Sequence, residues 1–240
     1  MRKGELRYYP HKRSYEIPAM VFQLDVRGNP SIGLYFLTLD ILCLAPLGIP
    51  QRRIKAIEEE LKVPVYSSTI AGSSIVGVMA AGNNNGIAVP YITRDEELKY
   101  LEENLPDVEI SVIDYRWTAL GNMILVNDRG CLVDPRLPSS LRRELTDLYD
   151  VEVEPGTIGA LPYVGSLAVA TNKGAVTSPL ISYEEKEKLE DLLKVDSEPC
   201  TINGGMKLPK CGLAANVHGL IVGSTTLGHE LATLTRALGF

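Results

Sequence analysis

Four cysteines and three histidines are the side chains of this 240-residue chain best suited to covalent or metal-assisted chemistry. Cys200, Cys211, His218 and His229 fall close together near the C-terminal end, and are the residue types of a thiolate nucleophile with a histidine base. Such a thiolate needs a nearby base or cation to lower its pKa, and a cationic substrate would need paired carboxylates. The apolar stretches STIAGSSIVGVMAAG, ALGNMILVN, YVGSLAVAT and CGLAANV contain no acid. A nucleophilic site is therefore not expected. Cys43, Cys131, Cys200 and Cys211 form no CxxC pair, and no histidine stands at zinc-ligand spacing from them. They read as small core residues, with no metal and no cofactor implied.

A second kind of chemistry is hydrogen bonding to a flat partner. Asn83, Asn84 and Asn85 precede Gly86, Asn127 and Asp128 precede Gly130, and Asn172 and Lys173 precede Gly174. These residue types tolerate positive φ in tight hairpin turns, which is reason enough for their presence. A row of such turns on one face would also offer a partner many short polar groups with little net charge. Asn122, in TALGN, belongs to the same candidate set without adjoining a turn glycine.

The elements that must position these residues repeat. Gly86, Gly130, Gly174 and Gly219 lie 44, 44 and 45 positions apart, and a first copy without the glycine surrounds Asp40. Each copy reads as a strand, a short turn, a second strand and an amphipathic helix. Prolines keep register after the turn at Pro46, Pro90, Pro135 and Pro179, with Ser224 in the fifth copy. Thr69, Thr118, Thr157 and Thr201 mark a further common position, expected to place a β-branched residue at the start of a strand. Gly72, Gly121, Gly165 and Gly204 follow them and are expected to let backbones crowd around a common axis. Leucines or isoleucines at helical spacing, such as Ile54, Ile57 and Leu61 or Leu189, Leu192 and Leu193, give each helix a core stripe. Thr93 with Glu96 and Ser182 with Glu185 form capping boxes, Pro50 opens the first helix and Gly239 closes the last.

One such unit cannot bury its own apolar face. Neither end of the array has a capping unit of the sort an open solenoid needs, so the units are expected to close into a ring around a pseudo-fivefold axis. A chain 45% hydrophobic can fill that core as one domain, residues 20–240. No run reaches the length of a membrane span and no signal-peptide pattern opens the chain, so a cytoplasmic protein is expected. Residues 1–19 carry five basic and two acidic groups, net +3; the remaining 19 basic and 28 acidic groups give the ring −9. An acidic ring does not grip nucleic acid chiefly through phosphates. Residues 1–19 are expected to be a basic flexible extension, with Met20 an alternative start.

The stretches MVFQLDVRGNPSIG, TIAGSSIVGVMAAGNNNGIAVP, TALGNMILVNDRG, VGSLAVATNKG and VGSTTLGHEL resemble the translation initiation factor 6 family, most closely its short archaeal form. They are spread over all five copies. The resemblance implies a pentein fold, α/β in class, a closed five-bladed propeller. It implies binding to the intersubunit face of the large ribosomal subunit, on a ribosomal protein of that face with local rRNA contact near the sarcin-ricin region. It implies steric prevention of subunit association by a monomer with no catalysis, and it puts Asn122 on the binding face. Other penteins modify guanidino groups with a cysteine nucleophile. That enzyme class and a non-ribosomal scaffold are the alternatives.

Overall fold

The computed structural model describes residues 22–240. The expected N-terminal extension, residues 1–19, and the alternative start at Met20 lie outside them. Five small sheets and intervening helices follow one another in a mixed α/β fold. The first sheet joins β2 (Leu37–Thr38), β3 (Cys43–Pro46) and β4 (Val65–Ser68); the second β5 (Ala81–Gly82), β6 (Gly86–Pro90) and β7 (Glu109–Ile113); the third β8 (Ile124–Val126), β9 (Cys131–Val133) and β10 (Val153–Pro155). The fourth joins β11 (Ala168–Ala170), β12 (Ala175–Thr177) and β13 (Ser197–Pro199); the fifth joins β14 (Leu213–Ala215) and β15 (Leu220–Gly223) to β1 (Phe22–Leu24). Wiring is uniform: each middle strand runs antiparallel to the strand before the turn and parallel to the outer one. The first described strand thus completes the last sheet.

The outer strand of each sheet was not foreseen from the repeat, because these strands are mostly three to five residues long and half-exposed, too short to show alternation. Long helices α1 (Gln51–Leu61), α3 (Asp95–Asn104), α5 (Ser139–Tyr149) and α7 (Tyr183–Leu193) connect middle to outer strands, and α9 (Gly228–Leu238) follows the last middle strand, with Gly239 in the left-handed conformation beyond it. Four-residue helices α2 (Val76–Met79), α4 (Leu120–Met123), α6 (Val164–Leu167) and α8 (Pro209–Gly212) lead into the inner strands, with a 3-10 turn at Ile32–Leu34 in the first unit.

The core lies between units rather than within them. Ala81 and Ala88 of the second sheet pack with Leu141, Leu145, Leu148 and Tyr149 of α5, and Val169 and Val176 of the fourth with Leu234 and Leu238 of α9. Ala214 and Ile221 of the fifth sheet pack with Ile54, Ile57 and Leu61 of α1. Each fully buried leucine contributes about 2 kcal/mol of transfer free energy, so neighbouring units hold one another together.

Those helices explain the turn glycines. Gly86, Gly130, Gly174 and Gly219 do not have positive φ, contrary to the turn reading. A Cβ on Gly130 would lie 2.2 Å from the Leu192 carbonyl oxygen, and one on Gly174 1.9 Å from that of Ala237. Glycine recurs because the next unit's helix end lies against the turn. Where the short helices meet the pattern is similar: a Cβ on Gly77 would strike the Gly33 and Phe36 carbonyls, one on Gly121 the Gly77 carbonyl, and one on Gly165 the Gly121 carbonyl. Gly72 and Gly204, expected to crowd with them, do not take part in these approaches; both have positive φ in loops.

Two further expectations shift. The capping carboxylate of α3 is Glu97, accepting the Arg94 backbone N–H at 3.0 Å, rather than Glu96 paired with Thr93. In α7 Ser182 and Glu185 form the expected box. The recurrent threonines act through their hydroxyls: Thr69, Thr157 and Thr201 donate to Glu97, Glu185 and Glu230, the third residues of α3, α7 and α9, so β-branching is not what fixes them. Each glutamate also accepts loop backbone N–H groups, at Gly72, at Gly159 and Ala160, and at Gly204 and Gly205.

Candidate functional site

The middle strands run from the polar turns toward the prolines, which gives the molecule two ends: a turn end, and a loop end carrying the outer-strand loops and the N-termini of the long helices. Asn122, in α4, and Asn127, after β8, therefore stand at opposite ends of one short strand. A single flat partner cannot engage both groups of candidate residues.

At the turn end the polar side chains are turned inward. Asn127 accepts from the Arg129 and Gly130 N–H groups and donates to the carbonyls of Thr171 at 3.1 Å and Leu193 at 3.0 Å in the next unit. Asn83 does the same toward Tyr149 at 2.9 Å and Asn127 at 3.4 Å. Asn216, in the fifth unit, reaches Leu39 at 3.1 Å and Leu61 at 2.9 Å in the first. Burial of Asn83 and Asn127 leaves neither with a group to present to a partner. Asn85 donates to the Tyr149 carbonyl at 2.8 Å. Lys173 lies over the Phe240 ring, 5.5 Å from its centroid.

One residue further along each turn, four side chains converge. Asn172 donates to Asp40 at 2.7 Å and to Asp128 at 2.5 Å, and Asn84 donates to Asp128 at 2.6 Å. The oxygens of Asn84, Asp128, Asn172 and Asp40 accept the backbone N–H groups of Asp40, Asn84, Asp128 and Val217, each from the preceding unit and the last from the fifth. Asp40 and Asp128 are the two carboxylates that the acid-free strand sequences concealed. Both are spent on amides and backbone, and no positively charged ligand is needed to explain them. Asp40 takes part without a glycine two residues on, which is why its role could not be read from the repeat.

The loop end is different. Of the thirteen exposed large apolar side chains among the described residues, ten stand here, including Leu47, Tyr91, Tyr163, Leu180, Met206 and Leu208; the other three are Ile41, Val112 and Phe240. Asn122 is half-buried at this end. Its side-chain oxygen accepts from the Ser166 hydroxyl at 2.9 Å, and among the described residues its amide nitrogen has no hydrogen-bond partner. It lines a cleft of about 380 Å³ with Arg116, Trp117, Arg136 and Tyr163.

That cleft exists in one unit alone. Trp117 stands where Ser68, Gly156 and Cys200 precede the other marker threonines, and Arg136 where Leu47, Tyr91 and Leu180 follow the prolines. From Thr118 to Gly121, the glycine of α4, is three positions, against eight from Thr69 to Gly77 of α2 and from Thr157 to Gly165 of α6. The bridged turn found at Ile70–Ser73, Ile158–Leu161 and Ile202–Met206 has no counterpart after Thr118, and Leu141 replaces the capping glutamate in α5. The apparent match of TALG to TIAG masked that shortening.

The cysteine–histidine group does not assemble. Cys200 is buried beyond β13 with its Sγ 3.0 Å from the Thr201 carbonyl, and burial, followed by the Glu230 charge, pushes its thiol up to about 11. Cys211 is likewise raised by burial. His218 stands in the turn at the opposite end of the fifth sheet, and His229 in the first turn of α9. A raised pKa is the reverse of what a thiolate nucleophile needs. No helix among the described residues is long and apolar enough to cross a membrane.

The sequence model of the eIF-6 family matches residues 21–237. Translation initiation factor 6 of Archaeoglobus fulgidus is 46% identical over 216 residues, covering 90% of this chain and 99% of that one. The proteins of the same name from Thermococcus kodakarensis and Pyrococcus furiosus are 42% and 41% identical over 223 and 222 residues, each covering 91% of this chain and 97% and 98% of theirs. Among solved structures, the N-terminal domain of ArgZ covalently bound to a reaction intermediate aligns at 16% identity and a TM-score of 0.46 over 71% of this chain and 67% of that one, too slight a likeness to bear on fold or chemistry.

Proposed function

The chain belongs to the eIF-6 family, and on that premise we propose that it is a translation initiation factor that docks its loop end on the intersubunit face of the large ribosomal subunit and sterically prevents the small subunit from joining. The observation that carries this reading is the concentration of exposed apolar side chains at the loop end, beside Asn122, while the turn end spends its polar groups internally. Contiguous apolar surface rimmed by polar groups marks a protein interface. A standard interface buries about 800 Å² on each partner, an area that one end of this molecule can supply.

The partner is a ribosomal protein of that face, with a local rRNA contact near the sarcin-ricin region. Blocking requires no bond to be made or broken, so the factor works in the cytoplasm as a monomer without cofactor or catalytic residues. Residues 20–240 form one pentein domain, a closed five-bladed propeller, and residues 1–19 a basic extension. Support for closure comes from β1 in the last sheet, the Asn216 bonds to Leu39 and Leu61, and the Gly33 backbone against Lys210. A rigid body of this kind presents the loop end with no ordering cost at binding.

Pelleting purified archaeal large and small subunits separately with the protein tests the docking step. Saturable retention on the large subunit alone is expected. Retention on both subunits, or on neither, contradicts the proposal.

A further inference from the structure

The cleft beside Asn122 has a chemistry that apolar docking does not use. Arg116 and Arg136 lie over the Trp117 ring, 4.6 and 4.5 Å from its centroid, and Arg136 lies also over Tyr163 at 5.0 Å. Tyr115 meets Trp117 edge to face at 5.4 Å. Asp134, fully buried, holds Arg136 through two contacts of 2.9 and 2.6 Å, fixing its plane between the two rings and neutralising its charge. Arg116 has no hydrogen bond or ion pair among the described residues, and no acid lines the cleft. One uncompensated cation thus sits among flat π and guanidinium surfaces on a ring whose net charge from Met20 onward is −9. The free Asn122 amide nitrogen points the same pocket toward an acceptor on a planar ligand's edge.

We infer that the Arg116–Trp117–Arg136–Tyr163 cleft binds a single unpaired nucleotide of RNA, its base stacked on the face of the exposed Tyr163 ring that Arg136 leaves free, its edge accepting from Asn122 and its phosphate on the Arg116 fork. Unpaired bases are recognised by stacking on aromatic rings and arginine planes with hydrogen bonds to their edges, and a cleft of about 380 Å³ is of ligand-pocket size. An acidic peptide would satisfy Arg116 but leave the exposed Tyr163 ring and the Asn122 amide without a role. The site deepens the docking proposal, since it names what one corner of the loop end meets. It also gives an acidic molecule a local RNA contact that does not depend on a basic surface.

Trp117 is the chain's only tryptophan, so its fluorescence reports on this cleft directly. Titration of the full chain with the RNA hexamer hexa-adenylate should change Trp117 emission saturably, with hexaglutamate peptide leaving it unaltered. Arg116→Ala and Arg116→Lys should each weaken RNA binding about tenfold, the lysine variant because it restores charge without the planar fork that grips a phosphate through two N–H groups. Arg116 is exposed, and unchanged unfolding midpoints check that both variants fold. No response to hexa-adenylate, an equal response to hexaglutamate, or undiminished binding by Arg116→Lys overturns the proposal. A protein that pellets with large subunits but ignores the RNA loses only this site, whereas one that binds the RNA but not the subunit loses only the docking proposal.

Discussion

Glu185 shows how much rests on single side chains. Desolvation raises its pKa, but four donors, the Ser182 N–H, the Thr157 hydroxyl and the Ala160 and Gly159 N–H groups, outweigh this and hold the carboxyl at about 2. Because the folded value is depressed below the ordinary 4.5, the stability it supplies is complete above that pH and is lost as pH falls toward about 2. Glu185→Gln should cost about 1–2 kcal/mol in urea unfolding at neutral pH. The gap between variant and parent should close on acidification through that window; a gap independent of pH would remove the carboxylate from this role. Asn122→Asp, which adds charge at almost constant size, should weaken large-subunit binding at least tenfold and leave the unfolding midpoint unchanged. Equal affinity for the subunit would take Asn122 out of the interface. The latching threonines were visible in the sequence as a periodic marker, but their partners, 28 or 29 residues away, were not, because hydroxyl-to-carboxylate pairing across a loop leaves no periodic trace.

At the scale of elements, period carried the information. Regular glycine spacing and leucine stripes were enough to read five copies and their long helices, since helix burial imposes a 3.6-residue period. The reason for the glycines was not legible: a close approach by a helix from the next unit depends on tertiary contact, and it resembles turn chemistry in sequence. Gly174→Ala tests the difference. Its Cβ would meet the Ala237 carbonyl at 1.9 Å, and a loss of about 3 kcal/mol, or roughly 6–12 °C in Tm, is expected. A turn glycine with freedom from that contact would tolerate alanine at negative φ with little change. The shortened loop after Thr118 was likewise hidden, because TALG imitates TIAG although Gly121 corresponds to Gly77. The cleft around Trp117 arises from that deletion.

Across the whole molecule, the two ends divide the work. The turn end binds units to one another through buried asparagines, and the loop end keeps its apolar side chains outside. Sequence alone placed the turn residues and Asn122 in one binding set because it shows residue type without direction; three-residue strands are enough to send them to opposite ends. Leu47→Glu and Leu180→Glu, at the loop end, should lower subunit affinity with less than about 0.5 kcal/mol change in stability, as for other exposed positions. The most direct measurement of the central claim is sedimentation of mixed large and small archaeal subunits, under magnesium conditions that drive joining, with increasing amounts of this protein. Migration of the protein with free large subunits and loss of the joined peak is the predicted result. A joined peak that persists at saturating protein would contradict the account.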